Sequence, residues 1–150
     1  MRALRSAGAP TLGVVPEPEH EINEPLRHEA ERIRRSGDYR WVGIYEVGDD
    51  EIRALAWTGD APTYASFPRD RGLCGAAVAD GMTVISHDVR LDSRYLTTFG
   101  STLSEIVVPI RREGRVVGLV DVESDRVAAF GTPDRERIER HAAELAATWQ

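Results

Sequence analysis

Two acidic residues, Asp121 and Glu123, end one of the most apolar stretches of the chain, residues 116–120. Side chains two positions apart on a β-strand point to the same face, so these carboxylates lie together if the stretch is a strand. Carboxylates held close in a partly dry site need a cation, an ammonium group or a shared proton to neutralise them. The pattern therefore favours a binding site for a positive group. The alternative, equally open at this point, is that the strand end simply reaches solvent.

The turn that precedes this strand, residues 112–115, decides which residues lie beside the acids. A two-residue turn would force Glu113 to positive φ, which a glutamate disfavours. We therefore expect a three-residue loop with Gly114 left-handed in a bulge. That register places Glu105 opposite Asp121 and puts all three acidic residues on one face. A two-residue turn is expected to send Glu105 to the other face.

Aromatic residues on an earlier predicted strand support a ligand site. Trp41 and Tyr45, with Gly43 between them, share one strand face. An aromatic pair beside carboxylates suits a small molecule that is cationic and partly apolar. Ordinary aromatic core packing is the alternative for either residue taken singly.

The elements that would position these residues are read from periodicity and from turn residues. Helical periodicity and end signals predict an N-terminal helix (about 23–35), a short helix (76–79) and a C-terminal helix with Thr132 as N-cap and Trp149 on its buried stripe. Five predicted strands lie between the terminal helices. This order predicts an α+β fold in which an antiparallel sheet carries both terminal helices on one face. The other face would hold a ligand pocket covered by loops. Residues 1–19 are expected to be a flexible tail, and 20–150 one domain.

Composition excludes several classes of function. The chain has 150 residues, 41% hydrophobic and 29% charged, and a net charge of −6, which argues against nucleic acid as a partner. No apolar run approaches the length of a membrane span, and we expect a cytoplasmic protein. The single cysteine, Cys74, excludes an intrachain disulfide and a thiol-rich metal site. The histidines show no metal-binding spacing, so we expect neither a metal nor a cofactor.

Four motifs together resemble the GAF domain, and in particular its free methionine-(R)-sulfoxide reductases. They are TrpValGlyIleTyr (41–45), GlyLeuCysGlyAlaAlaVal (72–78), SerGluIleValValProIle (104–110) and GlyLeuValAspValGluSer (118–124). The resemblance extends over about residues 38–149. It implies a GAF-like sheet with terminal helices on one face.

The resemblance also implies a ligand site. The family's binding aromatics fall on Trp41 and Tyr45, and its binding carboxylates on Glu105, Asp121 and Glu123. The last of these is usually an aspartate. In the family, the carboxylates hold the ammonium of a free amino acid and help to polarise the sulfoxide.

The family's redox residues do not carry over. Its nucleophilic cysteine falls on Thr98 and its resolving cysteine on Tyr64, whereas the retained Cys74 is not the assigned nucleophile. Threonine cannot replace the nucleophile, because its oxygen has no accessible redox step. Cys74 is either activated by the start of the following short helix or a small buried filler, and the second interpretation is favoured.

The sequence therefore predicts a stand-alone GAF domain that binds a small amine-bearing ligand, similar to free methionine sulfoxide, and that lacks reductase activity. One alternative is an active reductase that uses Cys74 with an external thiol. The other is a sensor or interaction module that forms a homodimer through its terminal helices.

Overall fold

The computed structural model describes residues 21–150, so the predicted tail, residues 1–19, lies outside the described residues. The fold is α+β, as the sequence predicts, and its elements follow in chain order. They are α1 (Glu24–Gly37), β1 (Trp41–Val47), β2 (Glu51–Trp57), β3 (Ser66–Pro68), α2 (Gly72–Asp80), β4 (Val84–Ser86), a 3₁₀ turn (Val89–Leu91), β5 (Ser104–Arg112), β6 (Arg115–Ser124) and α3 (Thr132–Thr148).

The strands form one antiparallel six-stranded sheet in the order β3-β2-β1-β6-β5-β4. The central strands β1, β6 and β5 are buried over most of their length, because both faces of the sheet are covered. Helices α1 and α3 pack on one face, where Ile33 and Ile138 meet the strand residues Val42, Ile106 and Val122. This face holds one apolar core, and the opposite face holds a second one.

Local signals set the ends of both long helices. The Asn23 side chain accepts a hydrogen bond from the Leu26 N–H at 3.1 Å, which caps α1 as a helix N-terminus requires. In α3 the cap position belongs to Gly131 rather than to Thr132, which is already helical, and Asp134 accepts from the Gly131 N–H at 2.9 Å. The predicted N-cap is therefore wrong by one residue.

The C-terminal end of α3 also differs from the prediction. Trp149 follows the last helical residue and is only half-buried, although it packs on the same core as Ile138 and Leu145, as predicted. Its ring lies against Gly118 of β6, where a Cβ would come within 2.7 Å of the indole. Trp149 thus closes the end of the helix layer from outside the helix.

The second face of the sheet is covered by α2 and by the loop that follows β4. Leu73 and Ala77 of α2 and Val89 of the loop pack on Tyr45 and Leu119 of the sheet. Helix α2 begins at Gly72, four residues earlier than predicted, and therefore includes Cys74 in its first turn. This second, smaller core encloses the candidate site.

The β5–β6 hairpin corrects the predicted register. Its turn has only two residues, Glu113 (φ 53°) and Gly114 (φ 76°), so the glutamate does adopt the left-handed region. A bulge between Ile110 and Arg111 then shifts the pairing by one residue. As a result Glu105 lies opposite Glu123, not opposite Asp121.

The predicted face is nevertheless correct. Without the bulge, a two-residue turn would pair Glu105 with Val122 and direct it to the helices. The bulge restores the alternation, because one extra residue on β6 exchanges the two faces of a strand.

Among the described helices, none has the length and apolar character needed to cross a membrane.

Candidate acidic pocket

Three carboxylates meet on the face of the sheet that α2 covers. Glu105 of β5 is 3% exposed, and Asp121 and Glu123 of β6 are each 1% exposed. Asp121 lies opposite Gly43 on one side and opposite Val107 on the other. The sequence analysis predicted that these three side chains lie together, and the structure places them so.

Hydrogen bonds satisfy only part of this cluster. One oxygen of Glu123, Oε1, accepts from the Thr102 hydroxyl at 2.9 Å and from the Tyr95 hydroxyl at 3.3 Å. Within the described part of the chain, no donor partner reaches Glu123 Oε2 or Asp121 Oδ1, although both are fully buried. A buried polar atom without a partner costs free energy, so the cluster favours either a proton shared between carboxyl groups or a bound donor.

Burial raises the pKa of all three carboxyl groups well above their ordinary values. For each group, loss of solvation is the largest cause, and repulsion from another carboxylate of the cluster comes next. Burial thus favours the neutral forms of these groups, whereas a positive group bound beside them would favour the charged forms.

A small cavity lies beside two of these carboxylates and has a volume of about 20 Å³, room for about one water molecule, so a larger ligand must displace side chains of its wall. Its wall is mostly apolar with a few polar groups, and consists of Tyr45, Tyr64, Phe67, Gly72, Leu73, Cys74, Leu96, Thr98, Glu105 and Asp121. The wall therefore combines two acidic side chains with an apolar surface.

Of the two predicted aromatic residues, Tyr45 lines this cavity and Trp41 does not. Tyr45 forms part of the wall and meets Phe67 edge-on, with 5.9 Å between the ring centroids. Trp41 lies outside the wall: its indole N–H donates to the Asp60 carbonyl at 2.9 Å, and its ring meets Phe99 edge-on at 5.2 Å. Glu123 likewise lies behind the wall and directly opposite Trp41.

Cys74 forms part of the wall but is poorly suited to act as a thiolate. It is 5% exposed, and its pKa is raised well above the ordinary value by burial and by the three nearby carboxylates. The N-terminal end of a helix such as α2 can stabilise a thiolate. Here burial and the nearby negative charges oppose that stabilisation, so Cys74 fits the role of a small buried residue better.

Thr98 and Tyr64, where the resemblance places the family's redox cysteines, both line the cavity. The Thr98 carbonyl accepts hydrogen bonds from both the N–H and the hydroxyl of Thr63, which joins the two loops. The Thr98 N–H in turn meets the Tyr95 hydroxyl at 3.3 Å. The loops that would carry the two thiols are thus held by polar contacts.

The sequence analysis did not identify three residues that shape the site. Gly43 was noted only as a spacer, yet a Cβ there would lie 2.5 Å from the Trp41 ring and 2.8 Å from the Tyr45 ring. Glycine between two aromatics on one strand face was the available signal. Tyr95 and Thr102 lie on an irregular loop, and no sequence pattern connects them with Glu123.

Helices cover one face of the antiparallel sheet, and the other face carries a small acidic cavity under α2 and loops. This combination defines a specific class of α+β domain. The GAF domain model matches residues 21–148, and the chain belongs to this family.

Several similar proteins are free methionine-R-sulfoxide reductases. The enzyme of Escherichia coli is 27% identical over 111 residues, which make up 74% of this chain and 67% of that protein. The structure of the type II enzyme from Thermoplasma acidophilum is 30% identical with a TM-score of 0.79, covering 83% of this chain and 89% of that one. The enzyme from Neisseria meningitidis in complex with its substrate is 30% identical with a TM-score of 0.78, covering 86% and 78%.

The comparisons confirm the predicted family and fold, and they make an enzymatic role plausible for this chain. They do not address the roles of individual side chains. The binding roles of Trp41, Tyr45, Glu105, Asp121 and Glu123 therefore stay predictions.

Proposed function

We propose that the protein binds a small molecule with a primary ammonium group, similar to free methionine sulfoxide, and that it does not reduce it. The observation that carries this proposal is the buried carboxylate cluster, of which Glu105 and Asp121 line the cavity and Asp121 Oδ1 has no donor among the described residues. An ammonium group has three donors and one positive charge. It supplies what the cluster lacks.

The rest of the wall suits the remainder of such a ligand. Tyr45, Phe67 and Leu73 provide an apolar surface next to Glu105 and Asp121. A side chain that carries a thioether or sulfoxide has an apolar stem, which this surface would cover while the ammonium meets the acids. The likeness to substrate-binding reductases supports this class of ligand.

We expect no reduction because of the redox chemistry that a sulfoxide sulfur requires. A thiol that attacks a sulfoxide reduces it to a thioether and is itself oxidised to a sulfenic acid, which a second thiol must reduce with release of water. Here Thr98 and Tyr64 stand at the positions of the two thiols. The remaining thiol, Cys74, is held in its protonated form by burial and by its acidic neighbours, which raise its pKa.

Calorimetry of the full chain tests the binding proposal. Methionine sulfoxide is expected to bind, whereas its N-acetyl derivative, which has the same side chain without the positive charge, is expected to bind more weakly by at least about tenfold. Equal affinities would reject ammonium recognition. Asp121→Asn should weaken methionine sulfoxide, and Asp49→Asn, an exposed matched control, should not.

One observation favours a second function, an active reductase that uses Cys74 with an external thiol. The Cys74 sulfur lies within 4.8 Å of carboxylate oxygens of Glu105 and Asp121, so it would be close to a ligand held by them. A turnover assay on wild type and Cys74→Ser separates the two functions. Turnover that depends on Cys74 would establish the second.

A further inference from the structure

The cavity wall brings one sulfur and two carboxylates into a compact group. Cys74 Sγ and one oxygen each from Glu105 and Asp121 all lie within 4.8 Å of one another. The three residues come from three different elements, α2, β5 and β6, and all are buried. Their position is fixed by the sheet and by the helix packed on it, and not by a mobile loop.

A second observation points to a missing partner at this group. Asp121 is 1% exposed, and its Oδ1 has no hydrogen-bond partner among the described residues. The cavity lies directly beside it, and Cys74 and Glu105 line the same wall. Glu123 is different, since its Oε1 is already engaged by Thr102 and Tyr95.

From this arrangement we propose that Cys74, Glu105 and Asp121 form a binding site for Zn²⁺, with the fourth coordination position facing the cavity. Zn²⁺ accepts a thiolate and two carboxylates as ligands, at about 2.3 Å to sulfur and about 2.0–2.2 Å to oxygen, and its binding would displace to solvent the proton that burial keeps on the Cys74 thiol. Tetrahedral ligand atoms at those lengths lie about 3.3–3.8 Å apart. The three atoms therefore need to approach by up to about 1 Å, so metal binding requires the side chains to shift.

The donor set also selects among metal ions. Mg²⁺ and Ca²⁺ take oxygen ligands and would leave the sulfur unused. Zn²⁺ takes sulfur and oxygen together, and its charge of +2 offsets most of the charge of one thiolate and two carboxylates. Because the metal and an ammonium ligand need the same Glu105 and Asp121 oxygens, they compete for the site.

Cobalt reports directly on the sulfur ligand. Metal-free full-length protein is titrated with Co²⁺, which occupies Zn²⁺ sites and gives a thiolate charge-transfer absorption only when sulfur coordinates it. One equivalent of Co²⁺ should produce this band, and Zn²⁺ should abolish it at one equivalent. Methionine sulfoxide should also suppress the band in proportion to its occupancy.

Variants separate the site from surface binding. Cys74→Ser should remove the band, and Asp121→Asn should weaken Zn²⁺ by more than about tenfold, the loss that even outer-shell changes produce. His87→Ala, an exposed residue outside the site, should leave both unchanged. Circular dichroism confirms that each variant is folded.

Three results would overturn the proposal. One is the absence of a thiolate band in folded wild-type protein, and another is Zn²⁺ affinity that survives both Cys74→Ser and Asp121→Asn. The third is a thiolate band that methionine sulfoxide leaves unchanged although calorimetry shows it bound. The first two outcomes leave the ammonium proposal intact, because that proposal is measured on metal-free protein.

Discussion

Glu105 lies directly opposite Glu123 across the β5–β6 ladder, and both side chains are almost fully buried. Like charges directly opposite each other destabilise a sheet. The pair is tolerable because burial raises the pKa of each carboxyl group and repulsion adds to the shift, from Glu123 in the case of Glu105 and from Asp121 in the case of Glu123, so that both groups favour their neutral forms. The site is therefore built at some cost to the stability of the empty protein.

That cost predicts a specific pH dependence of stability. The carboxyl groups of Glu105 and Asp121 have ordinary pKa values of 4.5 and 3.8, which apply to the unfolded chain, and raised values in the fold. Between the two values the folded state binds more protons than the unfolded state, so the free energy of unfolding falls as the pH rises through this window. The melting temperature of the empty protein should decrease as the pH rises above the ordinary carboxyl pKa values and through the raised values of the fold.

Glu105→Gln tests the source of this decline, because it keeps the side-chain shape and removes the charge. At about pH 8 it should raise the free energy of unfolding by about 1–3 kcal/mol and flatten its pH dependence, while it weakens ligand binding. Thermal and chemical denaturation across the pH range measure both effects. Glu51→Gln, an exposed change of the same chemistry, should do neither. An unchanged pH profile in Glu105→Gln would show that the cluster is already compensated.

A second prediction concerns catalysis. The wild-type protein should not reduce free methionine-(R)-sulfoxide with dithiothreitol, and Thr98→Cys should make reduction detectable because it places a thiol on the cavity wall. The rate should stay low, since Tyr64 provides no resolving thiol. Product formation is followed by amino-acid chromatography. Wild-type turnover that Cys74→Ser abolishes would show instead that Cys74 is the nucleophile.

The third prediction concerns the glycine between the two aromatic residues. Gly43→Ala should destabilise the fold by about 1–3 kcal/mol, because the added Cβ would overlap the rings of Trp41 and Tyr45. Ligand affinity should fall as well, since Tyr45 would have to move from the cavity wall. Gly100→Ala is the matched control, as a Cβ there meets nothing within 4 Å. Equal stability of the two variants would mean that the rings move aside freely.

The fourth prediction concerns the hairpin turn. Glu113 has φ 53° and is followed by Gly114 at φ 76°, a conformation that favours Asn-Gly. Glu113→Asn should stabilise the protein by about 1 kcal/mol, as asparagine tolerates the left-handed region better than glutamate. Urea denaturation measures the gain. If Glu113→Gln, which removes the charge but keeps the backbone preference, gives the same gain, then charge and not backbone conformation is responsible.

Much of the architecture is predictable because periodicity and caps act locally. The alternation of Trp41, Gly43 and Tyr45 with Val42 and Ile44 separates the two faces of β1, and the structure confirms that the first set faces the second core. The acids of β6 follow the same rule. Both inferences need only the period of a strand.

The failures involve competition between elements. The disfavoured φ of Glu113 predicts a longer loop. However, the apolar residues of both strands must face the helices. A two-residue turn with a bulge keeps them there, at less cost than turning the apolar residues of one strand to the other face of the sheet. The contact of Thr102 with Glu123 depends on the course of a loop that covers the site. No local pattern encodes that course.

The bulge on β6 has a consequence for chain length. Val116 pairs with Arg111 and Gly118 with Ile110, so Val117 is the residue left without a partner. Deleting Val117 would keep every pairing on both sides of it, whereas deleting a neighbouring residue within the paired segment would shift the carboxylates against β1. We therefore expect a hairpin shortened by one residue at this point to carry the same pocket.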